Sequence, residues 1–261
     1  MMNSQSAPAG RDERPVLVCL HWLGGSGRSW DRLAAALAPH WRVLTVDLPG
    51  FGDAAHRPGV PVAEMADHVA AAVREAAPAR WALVGHSMGA KVALALARRA
   101  EDGALGHPGP SHLVLLDGSP PAPEPMDEDR RGTMLHWFKG HPEQSRDEAQ
   151  TFIDGNVGAP LAPEVNGHTV AEVLRLNRDA WVSWLENGSR EDWAARIGVL
   201  RTPTLVVAGE KDGDLGPEGQ QRLMTRHFAD QTFAVVPGAG HLHRCRHWCG
   251  GCAGNNRADP E

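Results

Sequence analysis

Three side chains in this sequence have the types and order needed for nucleophilic acyl transfer: Ser87, Asp212 and His241. Ser87 lies in Gly85-His86-Ser87-Met88-Gly89, a G-x-S-x-G pattern. A serine hydroxyl is a weak nucleophile at neutral pH; it needs a base to take its proton and a third group to orient that base. Asp212 follows the apolar run Pro203 to Gly209, and His241 follows Thr232 to Val236 and a Pro-Gly-Ala-Gly turn. The chain order Ser, Asp, His matches one of the known arrangements of such a triad.

The elements around these residues must bring them together. Trp81-Ala82-Leu83-Val84 reads as a short buried strand, and Ala90 to Ala97 has helix-forming composition. A strand turning sharply into a helix exposes the corner residue and aims unsatisfied helix N–H groups at whatever binds there. Acyl transfer also needs N–H donors for the developing oxyanion. Met88 N–H, just after the nucleophile, supplies one. The other is expected from the loop His21-Trp22-Leu23-Gly24-Gly25-Ser26-Gly27, which follows the strand Val16 to Leu20.

Rival residues stay in play. Asp117 also ends a strand and Asp214 lies in the same acidic loop as Asp212, so either could serve as the acid; His243 competes with His241. His86 reads as a packed neighbour of the nucleophile, His21 as a hydrogen bonder within its loop, and Lys91 as a solvated or salt-bridged side chain.

Strand and helix patterns alternate along most of the chain, which argues for an α/β fold. Strands are expected near 15–20, 42–47, 81–85, 112–117, 203–208 and 232–236, giving a mostly parallel sheet of about six strands. Helices are expected near 29–38, 62–76, 88–100 and 217–228. Residues 15–119 and 196–241 would form the core. Between them, after the stiff Pro120 to Pro125 linker, helical patterns near 127–140, 144–155, 169–178 and 179–187 suggest an inserted helical cap over 120–195. Its Trp137, Phe138 and Trp181 could line a substrate pocket or pack as the cap's own core.

The chain resembles the α/β-hydrolase superfamily from about Pro15 to His241. Five ordered motifs carry the resemblance: His21-Trp22-Leu23-Gly24-Gly25, Val46-Asp47-Leu48-Pro49-Gly50-Phe51-Gly52, the Gly85 to Gly89 elbow, the Gly209 to Asp212 acid loop and Gly240-His241. The likeness implies Ser87, Asp212 and His241 as the triad. It also implies Leu23 N–H, with Trp22 N–H as the alternative, as the partner of Met88 N–H. Trp22 stands where the family usually has glycine, so its ring would crowd the site or wall the acyl pocket. A serine at the elbow argues against the branches with a carboxylate nucleophile. The esterase and lactonase-like branch is the expected one, acting on a small or medium acyl substrate with no cofactor or metal. Similar layouts run C–C bond hydrolysis, the menaquinone-pathway synthase reaction, thioester hydrolysis and perhydrolysis; a ligand receptor on the same fold is the non-enzyme alternative.

Composition fits this reading. The chain has 261 residues, enough for one α/β domain with a sizeable core. A net charge of −6 and no basic stripe give no reason to expect nucleic acid. No apolar run nears the ~18 residues of a membrane span, and the polar residues 1–14 lack a signal-peptide core, so a soluble cytoplasmic protein with a disordered N-terminal tail is expected. Tyrosine is absent, so no phenol can serve as acid or oxyanion donor. Oligomeric state is left open. Residues 242–261 are Cys-, His- and Gly-rich with no helical apolar period. They read as a disordered tail, against the sharper alternative of a zinc site from His243, Cys245, Cys249 and Cys252.

Overall fold

The structure, a computed structural model, describes residues 12–242. The zinc-site alternative at His243, Cys245, Cys249 and Cys252, and the rival base His243, lie outside the described residues, as does most of the expected N-terminal tail.

Six strands form one sheet: β1 (Val16–Leu20), β2 (Arg42–Val46), β3 (Trp81–His86), β4 (Leu113–Leu116), β5 (Thr204–Gly209) and β6 (Gln231–Val236). The spatial order is β2-β1-β3-β4-β5-β6, and every pairing is parallel. Parallel strands covered on both faces read as continuous apolar runs, as β1 does: all five of its residues are buried. Their side chains alternate between faces. Val16, Val18 and Leu20 join one core cluster; Leu17 and Cys19 join Trp30, Ala82 and Val84 on the other side.

Three helices flank the first strands: α1 (Asp31–Leu37), α2 (Val62–Ala76) and α3 (Met88–Glu101). The span expected for α2 matches what is observed. Val62, Met65, Ala66, Val69, Ala70 and Val73 are its buried stripe, at the three- and four-residue spacing of an amphipathic helix, and it packs on α3. α3 is buried along its first ten residues, Met88 to Ala97, because it runs under both α2 and the sheet.

Helices α4 (Glu128–Met134), α5 (Pro142–Asp154), α6 (Pro163–Val173), α7 (Arg178–Glu186) and α8 (Ala194–Ile197) intervene between β4 and β5; α9 (Pro217–Leu223) joins β5 to β6. Two expected boundaries are corrected. α6 begins at Pro163, six residues before the helix expected at 169, and runs through Asn166-Gly167. Pro at the first helical position loses no hydrogen bond, and Gly167 lies on an exposed face where a Cβ would meet nothing within 4 Å. α4 stops at Met134 rather than near 140, and the chain turns through Phe138 at φ +60°. The short α8 had no counterpart in the sequence reading.

Strand β1 has β2 on one side and β3 on the other, so the sheet order reverses there. Such a reversal opens a crevice at the C-terminal ends of the two strands. Leu20 pairs with Gly85 at that edge, setting the 21–27 loop against the start of α3.

Candidate active site

Ser87 joins β3 to α3 with φ +51° and ψ −119°, a left-handed conformation that an L-residue adopts only under strain. The flanking glycines are required by contact. A Cβ on Gly85 would sit 2.5 Å from the Gly89 carbonyl oxygen, and one on Gly89 would sit 2.6 Å from that of Leu20. The turn is tied on both sides: Ser87 N–H donates to Leu116 O, Gly89 N–H to His21 O and Ser119 N–H to Ser87 O.

Asp212 follows the end of β5 and His241 the turn after β6. His241 Nδ1 is 2.7 Å from Asp212 Oδ2, and its Nε2 is 2.8 Å from Ser87 Oγ. The structure thus brings these three together in one hydrogen-bonded chain. Burial works against a charged imidazole here, but the Asp212 carboxylate and its hydrogen bond outweigh it, helped by Asp117 and Glu124; together they push the His241 pKa up to about 9. Asp212 moves the other way. Burial would raise its pKa, yet the facing imidazole, its hydrogen bond and one from Gly213 N–H hold it below the usual carboxylate range.

The rivals have other places. Asp117, fully buried at φ +42°, accepts Gly209 N–H on Oδ1, whereas His241 Nδ1 is bonded to Asp212. Asp214 is exposed. His86 is buried, and its Nε2 bonds the backbone oxygen of His241, so the nucleophile's neighbour helps seat the base. The His241 loop is held from the helical segment too: Leu242 N–H donates to Asn156 O, and Gly240 approaches Gly158 so closely that a Cβ would fall 2.4 Å from its nitrogen.

Leu23 and Met88 lie at the reversal point, and among the described residues neither N–H meets a backbone acceptor. The loop carrying Leu23 is fixed by His21, Asp47 and Glu172. Asp47 accepts Gly27 N–H on one oxygen and Asp53 N–H on the other. Glu172 on α6 accepts the Ser26 hydroxyl and is paired with Arg175 at 2.8 Å. The sequence pattern pointed to Asp47 only as turn structure; nothing in it linked Glu172, 146 residues away, to Ser26.

The four expected pocket residues form an aromatic cluster with Phe152. The Trp22 and Phe152 rings stack at 6.1 Å, Trp137 stacks on Trp181 at 6.1 Å, and Phe138 and Phe152 meet the Trp181 ring edge-on at 5.0 and 5.1 Å. Trp181 is wholly buried. A cavity of about 470 Å³ opens beside this cluster, lined by Trp22, Arg28, Arg32, His168 and Glu172 among others. Its lining includes Trp22 but not Trp137, Phe138 or Trp181, and none of Ser87, Asp212 and His241. Ser87 itself is only 6% exposed.

Lys91 departs from expectation. It is 1% exposed rather than solvated, and no carboxylate lies within ion-pair distance among the described residues. Its ammonium instead donates to the backbone carbonyls of Ala122, Gly188, Ser189 and Glu191. No group of three or more His, Cys, Asp or Glu side chains among the described residues is placed to hold a metal ion.

Comparison with known proteins agrees with this architecture. The thioesterase domain profile matches residues 15–157. A pimeloyl-[acyl-carrier protein] methyl ester esterase from Vibrio atlanticus is 30% identical over 81% of this chain and 86% of its own. The 2-succinyl-6-hydroxy-2,4-cyclohexadiene-1-carboxylate synthase of Serratia proteamaculans is 30% identical over 92% and 91%. Among solved structures, a thermophilic esterase from Thermogutta terrifontis superposes with a TM-score of 0.71 at 25% identity, covering 89% of this chain and 84% of that one. A six-stranded parallel sheet, a strained serine at its central turn and these relatives lead to one conclusion: the chain is an enzyme of the α/β-hydrolase fold and belongs to the thioesterase-domain family.

Proposed function

We propose that this enzyme is a serine hydrolase that cleaves a small or medium carboxylic ester or lactone through an acyl-enzyme. The observation that carries the reading is the unbroken chain Asp212–His241–Ser87, with contacts of 2.7 and 2.8 Å. In the first half-reaction His241 Nε2 takes the Ser87 proton as Oγ attacks the acyl carbon. Leu23 N–H, or Trp22 N–H in its place, and Met88 N–H receive the oxyanion. The tetrahedral adduct collapses, His241 gives its proton to the leaving alkoxide, and the acyl group stays on Ser87. In the second half-reaction His241 deprotonates a water, which attacks the acyl carbon; the returning proton restores Ser87. Asp212 keeps the imidazole in the tautomer with hydrogen on Nδ1 and stabilises its charged form.

Residues 120–195 serve in this reading as a cap. They supply the aromatic wall of Phe152, Trp137, Phe138 and Trp181 next to Trp22, and the α6 wall of the 470 Å³ cavity. That cavity is read as the subsite for the part of the substrate remote from the acyl carbon. The protein acts as a soluble cytoplasmic enzyme; among the described residues no helix is long and apolar enough to cross a membrane.

The synthase relative raises a second reading, elimination from a polyanionic substrate using the same three residues. The cap's cations weigh against it. Arg131 is buried on Leu185 O and Ser189 Oγ, Arg175 is paired with Glu172 and Asp53, and Arg178 donates to Leu135 O and Trp137 O. Three of the five basic side chains Arg130, Arg131, Lys139, Arg175 and Arg178 are thus committed within the protein. Turnover of p-nitrophenyl acetate and butyrate by wild type and Ser87→Ala tests the proposal. Loss of about 10⁴-fold or more in the folded variant is expected; retained turnover refutes it.

A further inference from the structure

Lys91 sits one helical turn beyond Ser87 on α3, and its charge is not used by the reaction. Its Nζ lies 3.1 Å from Ala122 O, 3.3 Å from Gly188 O, 3.2 Å from Ser189 O and 3.0 Å from Glu191 O. Ala122 belongs to the connection by which the chain leaves β4 for the helical segment. Residues 188–191 belong to the connection by which it returns. An ammonium has three hydrogens, so four carbonyl acceptors use its full donor capacity with one bond shared. The Trp184 ring of α7 closes the cage at 5.9 Å. We propose that Lys91 is a positioning residue: its buried ammonium pins both connections of segment 120–195 to the nucleophile helix, so that the two connections release together or not at all.

The consequence for the site runs through the outgoing connection. Ser119 N–H donates to Ser87 O, Ser119 Oγ donates to Glu124 at 3.0 Å, and Ala122, held by Lys91, lies between them in sequence. Glu124 acts electrostatically on both Lys91 and His241. Lys91 therefore fixes the stretch of chain that bonds the Ser87 carbonyl and carries Glu124, a further carboxylate near the base. That consequence rests on Ser87 being the nucleophile. The pin itself does not, and its test requires no turnover.

Burial works against the charge: it lowers the Lys91 pKa from 10.5 to about 8. Glu124 on the outgoing connection and Glu191 and Asp192 on the returning one act in the opposite direction, while Arg131 of α4 adds to the lowering. Well below that value the pinned nitrogen is the ammonium, with three hydrogens to donate, and the pin is read there.

Amide hydrogen exchange on the full chain, at a pH well below 8, measures the opening of stretches 119–126 and 187–192. Lys91→Met raises the opening of both stretches by about tenfold, in parallel, while β3 keeps its wild-type protection. A rise in one stretch only, or in neither, overturns the proposal. If the variant does not fold, the wild type decides: the two stretches open with the same free energy and the same denaturant dependence, and different values overturn the proposal.

Discussion

His21 fixes the carbonyl of Trp22, the residue next to it in the chain. Leu48 N–H donates to His21 Nε2 at 3.0 Å, so Nε2 is the acceptor and the ring hydrogen lies on Nδ1, which donates to Trp22 O at 2.8 Å. Burial holds the ring neutral by pushing its pKa down. The Trp22–Leu23 peptide is trans, so its N–H points opposite to its carbonyl. By orienting the carbonyl of Trp22, His21 also sets the direction of the Leu23 N–H, the donor proposed for the oxyanion.

His21→Ala is therefore expected to behave as the loss of one oxyanion donor, lowering kcat by about 10² with a smaller change in KM. Steady-state kinetics on a p-nitrophenyl ester checks this. A change confined to KM would mean that the loop only binds substrate.

The raised pKa of His241 gives two signed expectations. The base must be neutral to act, so kcat/KM climbs with pH toward about 9, with a midpoint well above the ordinary 6.5. Asp212→Asn removes the charge that raises it; the midpoint then falls, and the rate drops by about 10⁴. For stability, a folded-state pKa above the unfolded one contributes fully below pH 6.5 and is lost as pH rises through 9. Denaturant unfolding at pH 6 and 9.5 should show that loss in the wild type and a smaller one in His241→Gln. An unshifted kinetic midpoint in Asp212→Asn would contradict the assignment.

Gly89 sets how closely β1 approaches α3. A Cβ there would stand 2.6 Å from Leu20 O and 2.7 Å from His21 O, both backbone atoms that cannot turn aside. Gly89→Ala should destabilise the fold by about 1–3 kcal/mol and reduce activity more than Tm alone would explain, since the displaced atoms carry the 21–25 loop. Thermal unfolding alongside kcat/KM measures both; an unchanged Tm would show that the turn has slack.

Trp181 anchors the aromatic cluster, touching Trp137, Phe138 and Phe152 and donating Nε1–H to Met134 O at 2.9 Å. Trp181→Ala should cost about 3–5 kcal/mol, from lost contacts and the cavity left behind. Urea unfolding reads this directly. A cost under about 1 kcal/mol would mean that the rings line open space instead of packing.

The contrast between these residues explains what the sequence could reveal. Strands β1, β3 and β5 were legible because parallel strands buried on both faces leave apolar runs. The elbow was legible because its contacts are local: Gly85 and Gly89 are forced by atoms within a few residues or on the adjoining strand. α6 was misplaced because Asn166-Gly167 resembles a break, whereas packing of Val170 and Val173 keeps the helix continuous. Lys91 was misread for a similar reason. Its partners lie 31 and about 100 residues away and are backbone carbonyls, which leave no trace in side-chain pattern. The Ser26–Glu172 contact is equally distant. Chemistry carried by a short motif can be read from the chain; side chains that hold one segment against another require the fold.

The central claim is a covalent acyl group on Ser87, and it can be weighed directly. Acid quenching the enzyme during turnover of a p-nitrophenyl ester, followed by peptide mass analysis, should find the acyl mass on the peptide containing Ser87, and none in Asp212→Asn at the same early time. Turnover that proceeds with Ser87 unmodified, or with the acyl group on another residue, would contradict the account.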